Sequence, residues 1–182
     1  MHSIKRLTMK SAKRVAALGL GLLGLGLVAA APALAATVTG NMAVSSSVTA
    51  TCVISAAPLS FAAYDTVTTA NKDAEAVLTF TCTNGTPGIQ ITLGQGLTPA
   101  TGSTTAIPLR QMTNGGAGRL AYFLYQETGR TMVWGDTLAT APAAVVGTGA
   151  AQTATVFGRI PSGQTTVVAG TYTDTVVATV NF

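Results

Sequence analysis

The chain has 182 residues, of which 48% are hydrophobic, 9% are charged and 5% are aromatic. Its formal net charge of +4 comes from the amino terminus, because five of the ten Lys and Arg residues lie within the first 14 positions. The remainder carries five basic and six acidic residues, a net charge of −1. This balance excludes the basic surface that is typical of nucleic-acid-binding proteins.

The first 35 residues have the pattern of a secretory signal peptide. A basic segment precedes an uncharged apolar run at residues 15–31, and Ala33-Leu34-Ala35 fits a cleavage site with small residues. The run of 17 residues is short and glycine-rich for a membrane anchor. We therefore predict cleavage after Ala35, export, and a mature chain of 147 residues that forms one domain and does not insert into a membrane.

The mature chain contains two cysteines, Cys52 and Cys82. Because exported proteins meet an oxidising compartment, we predict that these two residues form a disulfide. In the chain-entropy description, closing a loop of this length stabilises the fold by about 3 to 4 kcal/mol. Pairing occupies both thiols, so we expect no cysteine metal site.

The mature amino terminus alternates between apolar and polar residues. The residues on one face of this extended segment are Val38, Gly40, Met42 and Val44. The alternation continues to Cys52 after a serine hinge at residues 45–47, a length that could provide two successive strands. The pattern fits either the first strand of a sandwich or a strand that pairs with another subunit.

Four segments in the middle of the chain have strand patterns separated by turn signals. They are residues 74–83, 89–93, 119–126 and 153–160. Asn84-Gly85 is a tight-turn signal, so we predict a hairpin between the first two segments. Residues 119–126 contain few polar side chains, which indicates a central strand that is buried on both faces. With six to eight short strands and no amphipathic helix, the sequence predicts a β-sandwich.

Residues 170–182 are predicted to form the last strand. One face carries, in order, Tyr172, Asp174, Val176, Ala178, Val180 and Phe182, whereas the other face is mostly threonine. No further strand follows in the sequence, so we expect the outer edge of this strand to be covered by another part of the protein or by another molecule. Asp174 interrupts the apolar face, and we expect its carboxylate to be hydrogen-bonded.

Residues with catalytic potential are scarce. His2 belongs to the predicted signal, so the mature chain lacks histidine, which excludes Ser-His-Asp, Cys-His and histidine metal sites. Asp73 and Glu75 could form an acid/base pair, but the adjacent turn and Lys72 favour a solvated strand end. Trp134 is the one aromatic residue for which we expect exposure, too few for a sugar-binding platform. We predict that the chain is not an enzyme and needs no cofactor.

Several spaced motifs resemble the spore coat protein U domain family, which includes the major subunits of archaic (Csu-type) chaperone–usher pili. Besides a cysteine early in the mature chain, the motifs are TFTCTNGT at 79–86, LRQM at 109–112, LAYFLYQ at 120–126, VWGDT at 133–137, VFGRIPSGQ at 156–164 and GTYTDTVVATVNF at 170–182. They span essentially the whole mature chain. The resemblance implies an all-β fold, an incomplete immunoglobulin-like sandwich that lacks its seventh and last strand and is completed by donor-strand complementation.

The resemblance also implies partners and roles for individual residues. In this family a periplasmic chaperone first lends a strand to the gap, and at an outer-membrane usher the amino-terminal extension of the next subunit replaces it. On this chain, residues 1–35 would be the signal, 36–46 the donor-strand extension and 47–182 the pilin domain. The donor plugs would be Val38, Met42 and Val44, with Gly40 at a point where the groove admits no side chain. The acceptor edge would carry Tyr172, Val176, Ala178, Val180 and Phe182.

The expected function is therefore a structural subunit of a cell-surface pilus that joins other copies and related subunits and supports attachment and biofilm formation. Two other functions fit the same fold. The first is a coat or envelope protein whose amino-terminal strand fills its own groove. The second is an adhesive, carbohydrate-binding tip module, although a tip subunit normally carries an additional receptor domain, for which 147 residues leave no room.

Overall fold

The computed structural model describes residues 35–67 and 70–182, so the predicted signal peptide lies outside the described residues except for Ala35. Within these ranges the chain has a single 3-10 turn at Leu138–Thr140 and no helix long and apolar enough to cross a membrane. The strands of the described residues are β1 (Cys52–Ala56), β2 (Lys72–Cys82), β3 (Gln90–Leu93), β4 (Arg110–Thr113), β5 (Arg119–Tyr125), β6 (Gln152–Ile160) and β7 (Ala178–Asn181). The prediction of an all-β fold with six to eight strands is confirmed.

The strands form two antiparallel sheets that share one core. The first sheet has the order β1-β2-β6-β5-β4, and the second pairs β3 with β7. Successive side chains of a strand point to opposite sides of its sheet. The side chains that point toward the other sheet are buried between the two sheets. The buried core residues are Leu78, Phe80, Cys82, Ile89, Ile91, Leu93, Leu120, Tyr122, Leu124, Trp134, Val156 and Ile160.

Strand β5 lies inside the first sheet, as predicted, between β6 and β4. Its inward-facing residues Leu120, Tyr122 and Leu124 are buried, whereas Ala121, Phe123 and the last residue of the strand are only half-buried. The prediction that β5 is buried on both faces is therefore correct only for its inner face, because the outer face of this sheet is partly open to solvent.

The predicted hairpin between β2 and β3 is wrong. β2 pairs with β1 and β6, and β3 pairs with β7 in the other sheet. The turn after β2 is tight, with Gly85 at φ 81° and Gly88 at φ 72° and a hydrogen bond from the Thr86 amide to the Thr83 carbonyl. It carries the chain across from one sheet to the other, a crossing that uses the same turn residues as a hairpin.

The last strand is shorter than predicted. Regular pairing with β3 covers only Ala178–Asn181, and residues 171–177 are extended with isolated hydrogen bonds. The Gly94 amide donates to the Val177 carbonyl, and Thr113 and Thr173 exchange two hydrogen bonds. The reason is that β3 has only four residues, so the segment before β7 has no continuous partner beyond Gly94.

Residues 35–51 are exposed and belong to no strand or helix. The chain divides into two units, with the boundary between Val44 and Ser45. The alternation after the serine hinge could have provided a strand from residue 48, but β1 begins only at Cys52. Thr83 hydrogen-bonds to Thr51, and after Thr83 the chain turns away from β1. Residues before Thr51 therefore lack a pairing partner within the described residues.

Candidate functional site

A large cleft of about 1040 Å³ opens between two extended segments of the domain. One wall is formed by residues 58–64, here called the first rim, and the other by residues 171–178, called the second rim. The apolar floor between them is formed by Leu78, Leu93, Met112, Leu120, Tyr122, Leu124, Val156 and Ile160. A cleft of this size with an apolar floor is the default candidate for a binding site.

The first rim is held against the sheet by side chains at its two ends. Leu59 and Phe61 pack over Gly158 of β6, where a side chain larger than hydrogen would clash with both. The Tyr64 hydroxyl donates a 3.0 Å hydrogen bond to the Pro161 carbonyl. These contacts fix the rim although it belongs to no strand.

The second rim alternates in burial as the sequence pattern predicts. The side chains of Tyr172, Asp174, Val176 and Ala178 are half-buried and line the cleft. The intervening residues are exposed, and their backbone groups are those that hydrogen-bond to Gly94 and Thr113 on the other side.

Both rims present backbone groups that lack partners. Among the described residues, residues 58–64 make no backbone-to-backbone hydrogen bond, and neither do Tyr172, Asp174 and Val176. Unpaired N–H and C=O groups along an extended edge are a template for an additional strand. The cleft therefore combines an apolar floor with two hydrogen-bonding walls, which suits an extended peptide with alternating apolar side chains.

One polar group reaches into the floor of the cleft. The Tyr122 hydroxyl donates a 2.7 Å hydrogen bond to Oδ2 of Asp174, and the Oδ1 atom accepts from the amides of Leu97 and Thr175, each at 2.8 Å. The expectation that Asp174 is hydrogen-bonded is confirmed. Burial, together with the hydrogen bond to the carboxylate, raises the pKa of Tyr122 far above its usual value, so its hydroxyl remains a donor.

Arg110 lies behind the floor and joins the two sheets. Its side chain is 1% exposed and donates to the carbonyls of Leu93, Gly94 and Trp134 at 2.7 to 2.9 Å. Burial lowers the pKa of Arg110 to about 10, so the guanidinium remains charged at neutral pH. It anchors β3, and with it the second rim, to β4.

The structure brings together only part of the predicted acceptor edge. Tyr172, Val176 and Ala178 line the cleft, whereas Val180 packs against the core and Phe182 is 58% exposed. The first rim was not identified from sequence. Its available signals were Pro58, which interrupts pairing, and the apolar patch at residues 59–61.

The predicted donor residues lie in the unit that precedes Ser45. Val38, Met42 and Val44 are exposed and belong to no helix or strand, and an added Cβ at Gly40 would meet no atom within 4 Å. The three side chains that were predicted as donor plugs are therefore accessible to solvent.

The disulfide prediction is confirmed. Cys52 of β1 and Cys82 of β2 are directly opposite each other in the antiparallel pair and are bonded. The bond therefore ties the strand that leads into the first rim to the body of the larger sheet.

Asp73 and Glu75 occupy the exposed outer face of β2, as expected for a solvated strand end. Arg159 contacts Asp73 through two hydrogen bonds of 2.7 and 2.8 Å, and Arg130 lies 3.4 Å from Asp73 and 3.6 Å from Glu75. The hydrogen bonds from Arg159 lower the pKa of Asp73. Both carboxylates thus belong to an ion-pair cluster.

Across residues 35–67 and 70–182, no group of three or more His, Cys, Asp or Glu side chains could hold a metal ion.

The expectation that Trp134 is exposed is wrong. Its side chain is 1% exposed, and the indole Nε1 donates a 2.7 Å hydrogen bond to the Ile91 carbonyl. The segment VWGDT folds inward because the Trp134 amide also pairs with the Leu124 carbonyl of β5.

Comparison with known proteins identifies the family. A family model for the Spore Coat Protein U domain matches residues 38–179. Protein U of Myxococcus xanthus is 41% identical over 165 residues, which cover 85% of this chain and 90% of that protein.

Among solved structures, the fold is similar to a chain of the CsuC–CsuE chaperone–tip adhesion subunit pre-assembly complex from the archaic chaperone–usher Csu pili of Acinetobacter baumannii. The TM-score is 0.54 at 22% identity, and the match covers 74% of this chain. This chain spans 40% of the length of the matched chain, so the likeness is one of fold. The family model and the relative at 41% identity together show that the chain belongs to the Spore Coat Protein U domain family.

Proposed function

We propose that this chain is a structural subunit of a chaperone–usher pilus and that copies join head to tail by donor-strand exchange. Residues 36–44 of one copy insert into the cleft of the next, and their backbone pairs with both rims. The observation that carries the proposal is the cleft itself, in which an apolar floor lies between two rims with unpaired backbone groups. Strand addition to such an edge is a known mode of peptide recognition, for which pilin complementation is an established example.

The expected free energy of strand insertion is sufficient for a stable contact between two subunits. Val38, Met42 and Val44 are exposed in the described chain, and burial of each side chain contributes about 1.5–3 kcal/mol as an upper estimate. Each new backbone hydrogen bond along the rims adds about 1 kcal/mol. Because the donor segment and the cleft are different surfaces, the contact does not close on itself, and repeated contacts produce a fibre.

The proposed partners follow from the same surface. Before assembly, an apolar cleft with open edges exposes the subunit to aggregation, so a periplasmic chaperone would cover it. The solved Csu complex, in which a chaperone is bound to a subunit of similar fold, supports this partner. An outer-membrane usher then exchanges the chaperone strand for the donor segment of the next copy or of a related subunit. With residues 1–35 as the export signal, the fibre reaches the cell surface, where it supports attachment and biofilm formation.

The proposal is tested by removing the donor segment from the full-length precursor. A chain that lacks residues 36–44 should be exported and disulfide-bonded but should form no fibres, because it accepts a strand and cannot donate one. A matched pair of variants sharpens the result. Serine at positions 38, 42 and 44 should abolish assembly, whereas serine at positions 37, 39 and 41, on the opposite face, should preserve it. Full-length fibres from the deleted chain, seen by electron microscopy, would contradict the proposal.

A second candidate is a self-complemented coat or envelope protein, which is favoured by the likeness to Protein U and by the name of the family. In such a protein the amino-terminal strand fills the groove of its own chain. The native mass of the exported protein separates the two functions, since a self-complemented form stays monomeric at all concentrations and a pilin forms a ladder of multimers.

An adhesive tip module is a third possibility, because the matched Csu complex contains a tip adhesion subunit. Binding of the exported monomer to a glycan array would favour this function.

A further inference from the structure

The segment that leads from β6 to the second rim also contacts the first rim. This segment covers residues 161–170 and is here called the connector. The Tyr64 hydroxyl, at the end of the first rim, donates a 3.0 Å hydrogen bond to the Pro161 carbonyl of the connector. The same hydroxyl accepts a 3.1 Å hydrogen bond from the Gln164 amide. The first rim is therefore attached to the connector through a single side chain.

The connector is attached to the second rim as well. The Tyr172 hydroxyl donates a 2.9 Å hydrogen bond to the Val168 carbonyl, and the Val167 side chain packs against the hydrophobic core. Residues 167–170 line the cleft together with residues of both rims. The position of the connector therefore sets the distance between the end of the first rim and the start of the second rim.

Gln164 holds the connector against β5. The Oε1 atom of its side chain accepts a hydrogen bond from the Ala121 amide at 2.8 Å, and the Nε2 atom donates to the Ala121 carbonyl at 2.9 Å. Two residues that face each other in an antiparallel pair exchange the same two bonds. β6 does not supply them, because its pairing with β5 covers only residues 123–125 of β5. The Gln164 side chain therefore takes the place of a strand residue beside Ala121.

A strand that pairs with both rims requires a defined distance between them. Neighbouring strands lie about 4.7–4.9 Å apart, so two rims that share one inserted strand must lie about 9.5 Å apart. Among the described residues, 58–64 make no backbone-to-backbone hydrogen bond, so side-chain contacts position the first rim. The contact at Tyr64 is the one that continues, through the connector, to the second rim.

We propose that Gln164 is a positioning residue of the cleft, which sets the separation of the two rims so that the strand of a second copy pairs with both. This inference rests on the proposed function, since it names a residue on which acceptance of the donor strand depends. Gln164 acts through Tyr64 on the first rim and through the connector on the second rim. Loss of its side chain releases the connector from β5, so the cleft accepts a strand poorly while residues 36–44 of the same chain remain able to donate.

The test uses the full-length chain exported from cells, with the assembled fraction measured as multimers on native gels. Gln164→Ala should reduce the assembled fraction about tenfold, because both hydrogen bonds to Ala121 are lost. Gln126→Ala is the matched control. Gln126 is also half-buried and donates to two backbone carbonyls, those of Val133 and Thr140, but it does not line the cleft. Both substitutions should lower the free energy of unfolding, and the control should nevertheless assemble like the wild type.

Co-expression separates acceptance of a strand from donation. A tagged chain that lacks residues 36–44 can accept a strand but cannot donate one. This tagged chain should capture Gln164→Ala as efficiently as it captures the wild type, because the donor segment of the variant is unchanged. A residue that merely supports folding would affect both roles. Loss of donation together with acceptance, or normal multimers of Gln164→Ala alone, would therefore overturn the inference.

A second variant serves if Gln164→Ala is not recovered as disulfide-bonded protein. Tyr64→Phe keeps the ring and removes the hydroxyl that joins the first rim to the connector. It should reduce the assembled fraction about fivefold and leave donation intact, and unchanged assembly of this variant would contradict the inference. Failure of the proposed function appears differently, as absence of multimers in the wild type or normal multimers after deletion of residues 36–44.

Discussion

The two sheets of the domain differ in how completely their backbones are paired. In the five-stranded sheet, β2, β6 and β5 each have a neighbour on both sides, and a disulfide and an ion-pair cluster add further links between strands. In the second sheet, residues 171–177 have isolated bonds on one side and face the cleft on the other. Both sheets contribute to the same apolar core. The difference therefore lies in backbone pairing and not in hydrophobicity, and the unpaired backbone groups are concentrated at the two rims.

The largest expected effect comes from breaking the connection between the sheets at Trp134. This residue contacts β3 through its indole N–H and β5 through its backbone, and it is fully buried. Trp134→Ala should lower the free energy of unfolding by about 3–5 kcal/mol, because it leaves a cavity and an unpaired Ile91 carbonyl. Denaturant unfolding measures the change. Phe123→Ala, on the half-buried outer face of β5, is the control and should cost clearly less. Equal losses in the two variants would contradict the assignment.

Removing the disulfide should lower the stability of the whole domain. The double variant Cys52→Ser/Cys82→Ser is expected to lose about 3 to 4 kcal/mol of unfolding free energy, since a loop with a sequence separation of 30 is no longer constrained in the unfolded chain. Reductant should destabilise the wild type by a similar amount and leave the double variant unchanged. A wild type insensitive to reductant, with its thiols shown to be free, would refute the prediction.

A change at Asp174 tests how firmly the second rim is held. Asp174→Asn should cost about 1–3 kcal/mol, because the neutral amide accepts weaker hydrogen bonds from Tyr122 and Leu97. A double-mutant cycle with Tyr122→Phe isolates the bond between these two side chains. Strict additivity of the two changes would show that the bond does not contribute to stability.

The smallest expected effect is at the ion pair between Asp73 and Arg159, on the outer face of the five-stranded sheet. Asp73→Asn should cost less than about 1 kcal/mol at neutral pH, since the pair is exposed and screened by salt. The pKa of Asp73 is lowered below its usual value of 3.8 by Arg159, so the contribution to stability is present above pH 3.8 and is lost as the pH falls through the lowered pKa. Unfolding curves of the variant and the wild type should therefore converge in acid. A gap that persists at pH 2 would exclude this cause.

The sequence predicted elements whose formation depends on local pattern. Alternation identified β2, β5, β6 and the facing of residues 172–178, and export predicted the bond between Cys52 and Cys82. The partner with which each strand pairs could not be predicted in the same way. The turn at Asn84-Gly85 has the chemistry of a hairpin, and only the position of β7 decides that β3 belongs to the other sheet.

Two features of the candidate site depended on tertiary context. In the first rim the alternation is limited to Leu59 and Phe61, which is too short to predict a strand. The position of this rim follows from contact of both side chains with Gly158, which is about 100 positions away in sequence. Trp134 stands between turn-like residues, so its burial depends on the distant carbonyl of Ile91. Local pattern could not reveal either contact.

The central claim is that the cleft of one copy is filled by the amino-terminal segment of another. A cryo-electron microscopy structure of the assembled fibre tests it directly. The account predicts continuous density for residues 36–44 as a strand between residues 58–64 and 171–178 of the adjacent subunit. Density that connects residues 36–44 to the cleft of their own chain, or a cleft without a strand in the fibre, would contradict the account.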